Sequence, residues 1–222
     1  MFVRDYIQTE FKGYPSITEN VVKAVEQSGV KEGLCIISVP DMTTALCITS
    51  FWDKRGLDDL NDEIDRNFPA RVHYKSQITP FDASGNVKAA VVGRSTTILI
   101  NNGKLVLGSS QGIVLLEFDG PRERAFDIQI IEKNLSLYKH SFKTQYMGMI
   151  DLTDNVRQYV AESGIKEGIC HVSQLHSTAG LLLCDNSPDS MKNIMDDIER
   201  MVPTRADFKH RETASDAGGH VK

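Results

Sequence analysis

The chain has 222 residues and a formal charge of −5, with 25 Lys and Arg against 30 Asp and Glu. No basic stripe points to a nucleic-acid partner, and no apolar run approaches the ~18 residues of a membrane span. The first residues, Met1-Phe2-Val3-Arg4-Asp5-Tyr6, lack a signal-peptide core, so a cytoplasmic protein is expected.

Residues 2–12 alternate and read as a strand. Thr18 is a candidate N-cap for a helix carrying Val21, Val22 and Val25 on one face. That helix ends at Gly29, which can take a positive φ. A buried strand over Leu34–Val39 and an apolar run at Leu46-Cys47-Ile48 follow. A second helix is predicted over 54–67, with Leu57, Leu60 and Ile64 inward and Pro69 closing it. The acids around Asp58 and Asp59 read as a solvated face of it. Strands are predicted at 96–101, 104–108, 113–118 and 125–131, with a tight turn at Asn101-Asn102-Gly103.

The pattern then restarts. Ser28-Gly29-Val30-Lys31-Glu32-Gly33 returns 135 residues later as Ser163-Gly164-Ile165-Lys166-Glu167-Gly168. From Thr44-Ala45, answered by Thr178-Ala179, the offset is 134. This length is a domain duplication, not a solenoid unit of ~20–50 residues. By analogy the second copy should have strands at 137–146, 169–173 and 181–183. Its helices should follow Thr153, with Val156, Tyr159 and Val160 inward, and span 188–201. The first copy is read as a complete domain over 1–134. The second, 137–222, holds nothing that matches 89–131. The fold class expected is α+β, a mainly antiparallel sheet with two helices per copy. Cys35, Cys47, Cys170 and Cys184 show no Cys-x-x-Cys spacing, and Cys35 and Cys170, repeat equivalents inside apolar runs, are expected to be buried structural thiols. No phosphate loop or dinucleotide fingerprint is present.

Three positions differ between the copies in a chemically telling way. The second has His176, His210 and His220 where the first has Met42, Ser76 and Asn86. Imidazoles with a nearby acid such as Asp216 suit a divalent transition metal. Protonated, and beside Lys209 or Arg211, they suit a phosphate instead. His73, His140 and His171 have no such context. In Asp119-Gly120-Pro121-Arg122-Glu123-Arg124, Gly-Pro forces a turn that should expose both arginines, whose forked donors fit phosphate or carboxylate.

These segments together resemble the YjbQ family, associated with secondary thiamine-phosphate synthase activity. Gly103-Lys104-Leu105-Val106-Leu107-Gly108-Ser109-Ser110-Gln111-Gly112-Ile113, then Glu117-Phe118-Asp119-Gly120-Pro121-Arg122, is similar to the family's C-terminal signature. The family's histidine segments are matched by His176-Ser177-Thr178-Ala179, Phe208-Lys209-His210 and Asp216-Ala217-Gly218-Gly219-His220-Val221-Lys222.

The resemblance implies a trimer-forming α+β domain with histidine-lined sites near subunit interfaces. It implies a transferase joining a pyrimidine diphosphate to a thiazole phosphate. His176 and His220 would bind metal or phosphate, His210 would bind metal or move a proton, and Asp216 would orient one of them. Thr178, Gln111, Arg122 and Arg124 would hold the phosphorylated small molecule, with Zn or Mg as the divalent metal.

The departures suggest alternatives. The first copy has lost the histidines and is expected to be a scaffold. The second lacks the arginine-bearing half, so either the first copy complements it or the chain continues past Lys222. A non-enzymatic binding paralogue and a metal-dependent phosphohydrolase remain as other readings.

Overall fold

The computed structural model describes every residue except 51, 52, 72, 76–78, 146, 147, 186, 206 and 211–213. Alternation in Phe2–Gln8 makes β1, whose exposure alternates along its length. Helix α1, Thr18–Ser28, ends on Gly29 at φ 70°, as its Ser-Gly ending predicts. Thr18 is not the expected cap. It is the first helical residue, and its Oγ1 accepts the Ile113 N–H at 2.8 Å, so the hydroxyl ties the helix to a strand.

The buried runs give β2 (Glu32–Ser38) and β3 (Thr44–Ser50), followed by helix α2 (Lys54–Asn67). Strands β4 (Ser95–Asn101), β5 (Lys104–Leu105), β6 (Gln111–Glu117) and β7 (Glu123–Glu132) complete the first copy's sheets. The β4–β5 turn places Asn102 and Gly103 at φ 53° and 74°, the double positive that the Asn-Gly pair predicts.

A helix not expected from the sequence, α3 (Pro80–Val92), lies between α2 and β4. Its apolar periodicity is interrupted by Ser84, Gly85 and Asn86. Its start signals are nonetheless present: Thr79 Oγ1 accepts the Asp82 N–H at 3.1 Å, and proline occupies the first turn. Gly85 allows the helix to approach closely, because a Cβ there would lie 3.2 Å from Thr43 Cβ and 3.3 Å from Phe118 Cβ.

The strands form a five-stranded antiparallel sheet, β1-β7-β2-β4-β5, and a β3-β6 pair. Helix α1 packs Val21 and Val25 into a core with Cys35, Ile37, Ile113, Leu115, Phe126 and Ile128. Leu57 and Ala89, from α2 and α3, share a second cluster with Ala45, Val114, Leu116 and Phe118. The α+β antiparallel expectation therefore holds, with a third helix added. Cys35 is buried and Cys47 half-buried, and desolvation pushes both thiols up to about 12, which keeps them unreactive.

The second copy folds only in part. It has α4 (Thr153–Ser163), α5 (Pro188–Met201) and α6 (Ala214–Val221). Gly164 ends α4 at φ 67°. Asp151 Oδ1, rather than Thr153, supplies the hydrogen bond at the start of α4, accepting the Thr153 N–H at 2.8 Å. The expected strands at 169–173 and 181–183 do not form, nor do the described residues of 137–146 form one. The reason is visible in the first copy. There β2 lies between β4 and β7, β3 pairs with β6, and β1 pairs with β7. Residues 137–222 contain no counterparts of those partner strands, so their extended segments have no ladder to join. Cys170, expected to be buried, is accordingly exposed, and so is Cys184.

Val25 and its repeat counterpart Val160 isolate the effect of this missing cover. Val25 is 2% exposed and Val160 41%. Val25→Ala is expected to cost about 2 kcal/mol, and Val160→Ala less than about 0.5 kcal/mol. Urea denaturation of both variants checks the difference.

Candidate metal centre

The first copy's α2 supplies the platform for the second copy's histidines. Asp53 caps α2 by accepting the Arg55 N–H at 2.9 Å, and its Oδ2 lies 2.8 Å from His210 Nδ1. Nearly two turns on, Asp59 is only 4% exposed. Its two carboxylate oxygens accept the backbone N–H groups of Lys209 and His210, each at 2.8 Å. Asp59 is therefore not the solvated residue its neighbourhood suggested, and Asp58 accepts a hydrogen bond from Tyr14. Buried Glu63 pairs with both Arg66 and Arg205. Arg66 and Asn67 also donate to the Met201 carbonyl, at 2.5 and 3.1 Å. Residues of 201–210 are thus fastened along α2, with Phe208 buried beneath the Arg205 guanidinium.

Helix α6 packs against α2 and places Asp216 and His220 one turn apart. His210 Nε2 lies 3.5 Å from Asp216 Oδ2, and His220 Nε2 lies 3.9 Å from Asp216 Oδ1. The two imidazole rings are 5.3 Å apart, centre to centre. Among the described residues, His210, Asp216 and His220 form the one group suited to a metal ion, with ligand atoms all within 4.8 Å.

The other expected site residues lie elsewhere or act differently. His176 is exposed and outside this trio. Its Nδ1 accepts hydrogen bonds from the Thr178 N–H and hydroxyl, at 3.3 and 3.0 Å. Its neighbour Ser177 reaches the site instead, with Oγ 3.1 Å from His220 Nε2. Thr178 packs against α6 at Gly219. Gln111 holds a turn rather than facing open space. It accepts the Gly108 N–H at 2.8 Å and donates to the Gln174 carbonyl at 3.4 Å.

The expected exposure of both arginines is half correct. Arg122 is exposed and pairs with Asp119 at 2.7 Å. Arg124 is 2% exposed and buried in ion pairs with Glu117 and Asp41 and a bond to Thr43. Arg122 lines an open cavity of about 330 Å³ in the first copy, with Met42, Asp82, Asn86 and Asp119. Asp82 and Asn86 in this cavity are the repeat counterparts of Asp216 and His220, and within this chain Arg122 sits in that first-copy cavity. To the second copy's site the first copy contributes α2 and the 108–111 turn instead. Ser76, the counterpart of His210, and Arg211 lie outside the described residues.

Among the described residues, carboxylates outnumber the cations near the trio, with Arg55 paired to Asp53. Asp53, Asp59 and Asp216 surround two imidazoles, while Lys209 turns to Asp62 at 2.7 Å and Lys222 to Glu199. Arg55 first, and then His210, hold the Asp53 carboxyl well below the usual carboxylate range. Such surroundings favour a cation over a bare anion.

The family model of the YjbQ-like UPF0047 proteins matches residues 5–133 and again 138–222. The chain belongs to this family. A UPF0047 protein of Methanocaldococcus jannaschii is 36% identical over 115 residues, covering 52% of this chain and 82% of the relative. The Bacillus subtilis UPF0047 protein YugU is 30% identical over 52% of this chain and 86% of its own length. A crystal structure of a YjbQ/UPF0047 protein from Clostridium acetobutylicum superposes with a TM-score of 0.56 at 35% identity. It covers 58% of this chain and 99% of that one. A YbjQ-like protein of unknown function from Sulfolobus solfataricus gives a TM-score of 0.57 at 29% identity, covering 60% and 97%. Each relative thus matches about one unit of this YjbQ-like chain. The duplication is what puts a second unit's histidines on the first unit's helix.

Asp53, Asp59 and Ser177 were not identified from the sequence. Asp53 carries a detectable signal, an N-cap residue before a helical pattern, but nothing local points it at residue 210. Asp59 looks like any helix-surface acid until the second copy covers it.

Proposed function

We propose that this YjbQ-like chain binds a divalent transition metal through His210, Asp216 and His220, and acts there on a phosphorylated small molecule. The observation that carries the reading is the convergence of two imidazoles and one carboxylate, with His210 backed by a second carboxylate. Ligands at ~2.0–2.2 Å around a tetrahedral ion stand about 3.4 Å apart. The 3.5 and 3.9 Å separations, in a group whose ligand atoms all lie within 4.8 Å of one another, approach that spacing. Imidazole donors favour Zn²⁺ over Mg²⁺, which prefers oxygen and water. The bound ion would supply positive charge to a phosphate group. The chain's own residues orient the ligands, and Ser177 offers a hydroxyl beside His220.

The finer reading is a transferase of the thiamine-phosphate synthase type, assembled as a homo-oligomer of trimer type. It is supported by the resemblance of the histidine segments and the C-terminal signature. A second reading, a non-enzymatic ligand-binding paralogue, is favoured by Met42 and Asn86 in the first copy and by His176 standing outside the trio. A phosphohydrolase shares the same metal site and differs in needing no second substrate.

Zn²⁺ titration against a chromophoric chelator tests the metal site. His220→Ala and Asp216→Ala are expected to weaken binding by more than about 100-fold, and His176→Ala to leave it within about threefold. Equal loss in all three variants, or none, contradicts the assignment. With metal bound, turnover of a pyrimidine diphosphate with a thiazole phosphate supports the transferase. Hydrolysis of a simple phosphate ester alone supports the phosphohydrolase. Turnover of neither leaves the binding paralogue.

A further inference from the structure

We propose that Asp53, supplied by the copy that lacks the signature histidines, is the positioning residue that fixes the tautomer and aim of His210 across the boundary between the copies. The proposal rests on the metal reading above for its consequence, but not for its geometry.

An ionised carboxylate only accepts hydrogen bonds, so a neutral imidazole whose Nδ1 lies 2.8 Å from Asp53 Oδ2 carries its proton on Nδ1. That leaves the Nε2 lone pair facing Asp216, 3.5 Å away, as a ligand nitrogen must be. Asp53 is itself held in place at the same oxygen. The Arg55 side chain donates to its carboxylate through Nε at 3.0 Å and Nη2 at 2.6 Å. The backbone of His210 is fixed separately by Asp59, through the bond already described. Backbone position and ring state therefore have different owners: Asp59 holds the first, and Asp53 sets the aim of the ring and its proton.

The duplication shows that capping alone does not require an acid here. The repeat counterpart of Asp53 is Ser187, which caps α5 by accepting the Ser190 N–H at 3.3 Å. A serine oxygen satisfies the helix N-terminus but is too short to bridge to an imidazole. The longer, charged side chain occurs in the copy whose helix faces a histidine from its neighbour.

Asp53→Ser and Asp53→Asn in the full chain separate these roles. Serine keeps the cap and removes the contact. Asparagine keeps the cap and an acceptor oxygen but removes the charge. The histidine tautomer is read by ¹⁵N NMR on metal-free protein at about pH 8, where an ordinary imidazole is neutral. Zn²⁺ affinity is read by chelator competition. Wild type is expected to hold His210 as the Nδ1–H form. Asp53→Ser should give a tautomer mixture and a 10- to 100-fold loss of Zn²⁺ affinity, with part of both recovered in Asp53→Asn. An unchanged tautomer in Asp53→Ser overturns the proposal, even if thermal stability falls, because that is the signature of a merely structural cap. If wild type binds no Zn²⁺, the metal reading fails, and the tautomer comparison still decides the role of Asp53.

Discussion

Glu117→Ala is expected to destabilise the chain by about 3–5 kcal/mol, a large share of the ~5–15 kcal/mol typical of a domain. Glu117 and Arg124 are 0% and 2% exposed, and their carboxylate and guanidinium meet at 2.6 and 2.8 Å. The Glu117 carboxylate also accepts from the Thr9 hydroxyl and the Asp119 N–H, each at 2.8 Å. Removing it strands a buried guanidinium that keeps only Asp41 and Thr43. Breaking such a pair is far costlier than the net value of forming it.

Burial alone would raise the Glu117 carboxyl, but the bonds from Arg124, Asp119 and Thr9 outweigh it and hold the group below its ordinary 4.5. A depressed carboxylate contributes stability that is complete above about 4.5 and is lost as pH falls through the lower folded value. Wild type should therefore lose urea resistance as the solution is acidified below that point. Glu117→Gln should start less stable and show a shallower acid dependence. A Glu117→Ala change of less than about 1 kcal/mol refutes this account.

This pair also shows what could be read in the chain beforehand. The strand ending at Glu117 and the turn at Gly120-Pro121 were legible from hydrophobic patterning and turn residues. The direction of Arg124 was not, because an arginine after a Gly-Pro turn reads as exposed and only tertiary packing buries it. The same distinction runs through the second copy. Its helices α4 and α5 were legible because periodicity and start and stop signals are local, whereas α6, like α3, was not expected. Its expected strands at 169–173 and 181–183 do not form, because a strand's backbone groups are satisfied by another strand. Equal sequence patterns gave unequal structures where the partner strands β4, β6 and β7 have counterparts in one copy only.

The candidate site was half legible for a related reason. His210 and His220 stood out because the two copies could be compared position by position, whereas Asp216, an aspartate in both copies, entered only as the acid near them. His176 stood out equally, and the loop geometry turned it away while bringing Ser177 in. The acids of α2 were invisible as site residues, since their partners lie about 150 positions further along the chain.

The strongest consequence of that long-range docking falls on Asp59. Asp59→Ala is expected to free the segment around Lys209 and His210 from α2. Two charge-assisted hydrogen bonds to backbone amides are lost together, each worth about 1.5–3 kcal/mol. The neighbouring Glu63–Arg205 pair remains, so the segment should loosen rather than detach fully. Amide exchange in Ala214–Val221 should accelerate by more than about 100-fold, the effect of roughly 3 kcal/mol on local opening. The repeat counterpart Asn193 is exposed, and Asn193→Ala should leave exchange unchanged within about threefold. Zn²⁺ affinity measured on the same Asp59→Ala sample connects the docking to the site. A joint fall means that the first copy's helix builds the second copy's histidine cluster. Accelerated exchange with undiminished affinity means that the cluster assembles on α6 and its own loop, with α2 serving only as a support.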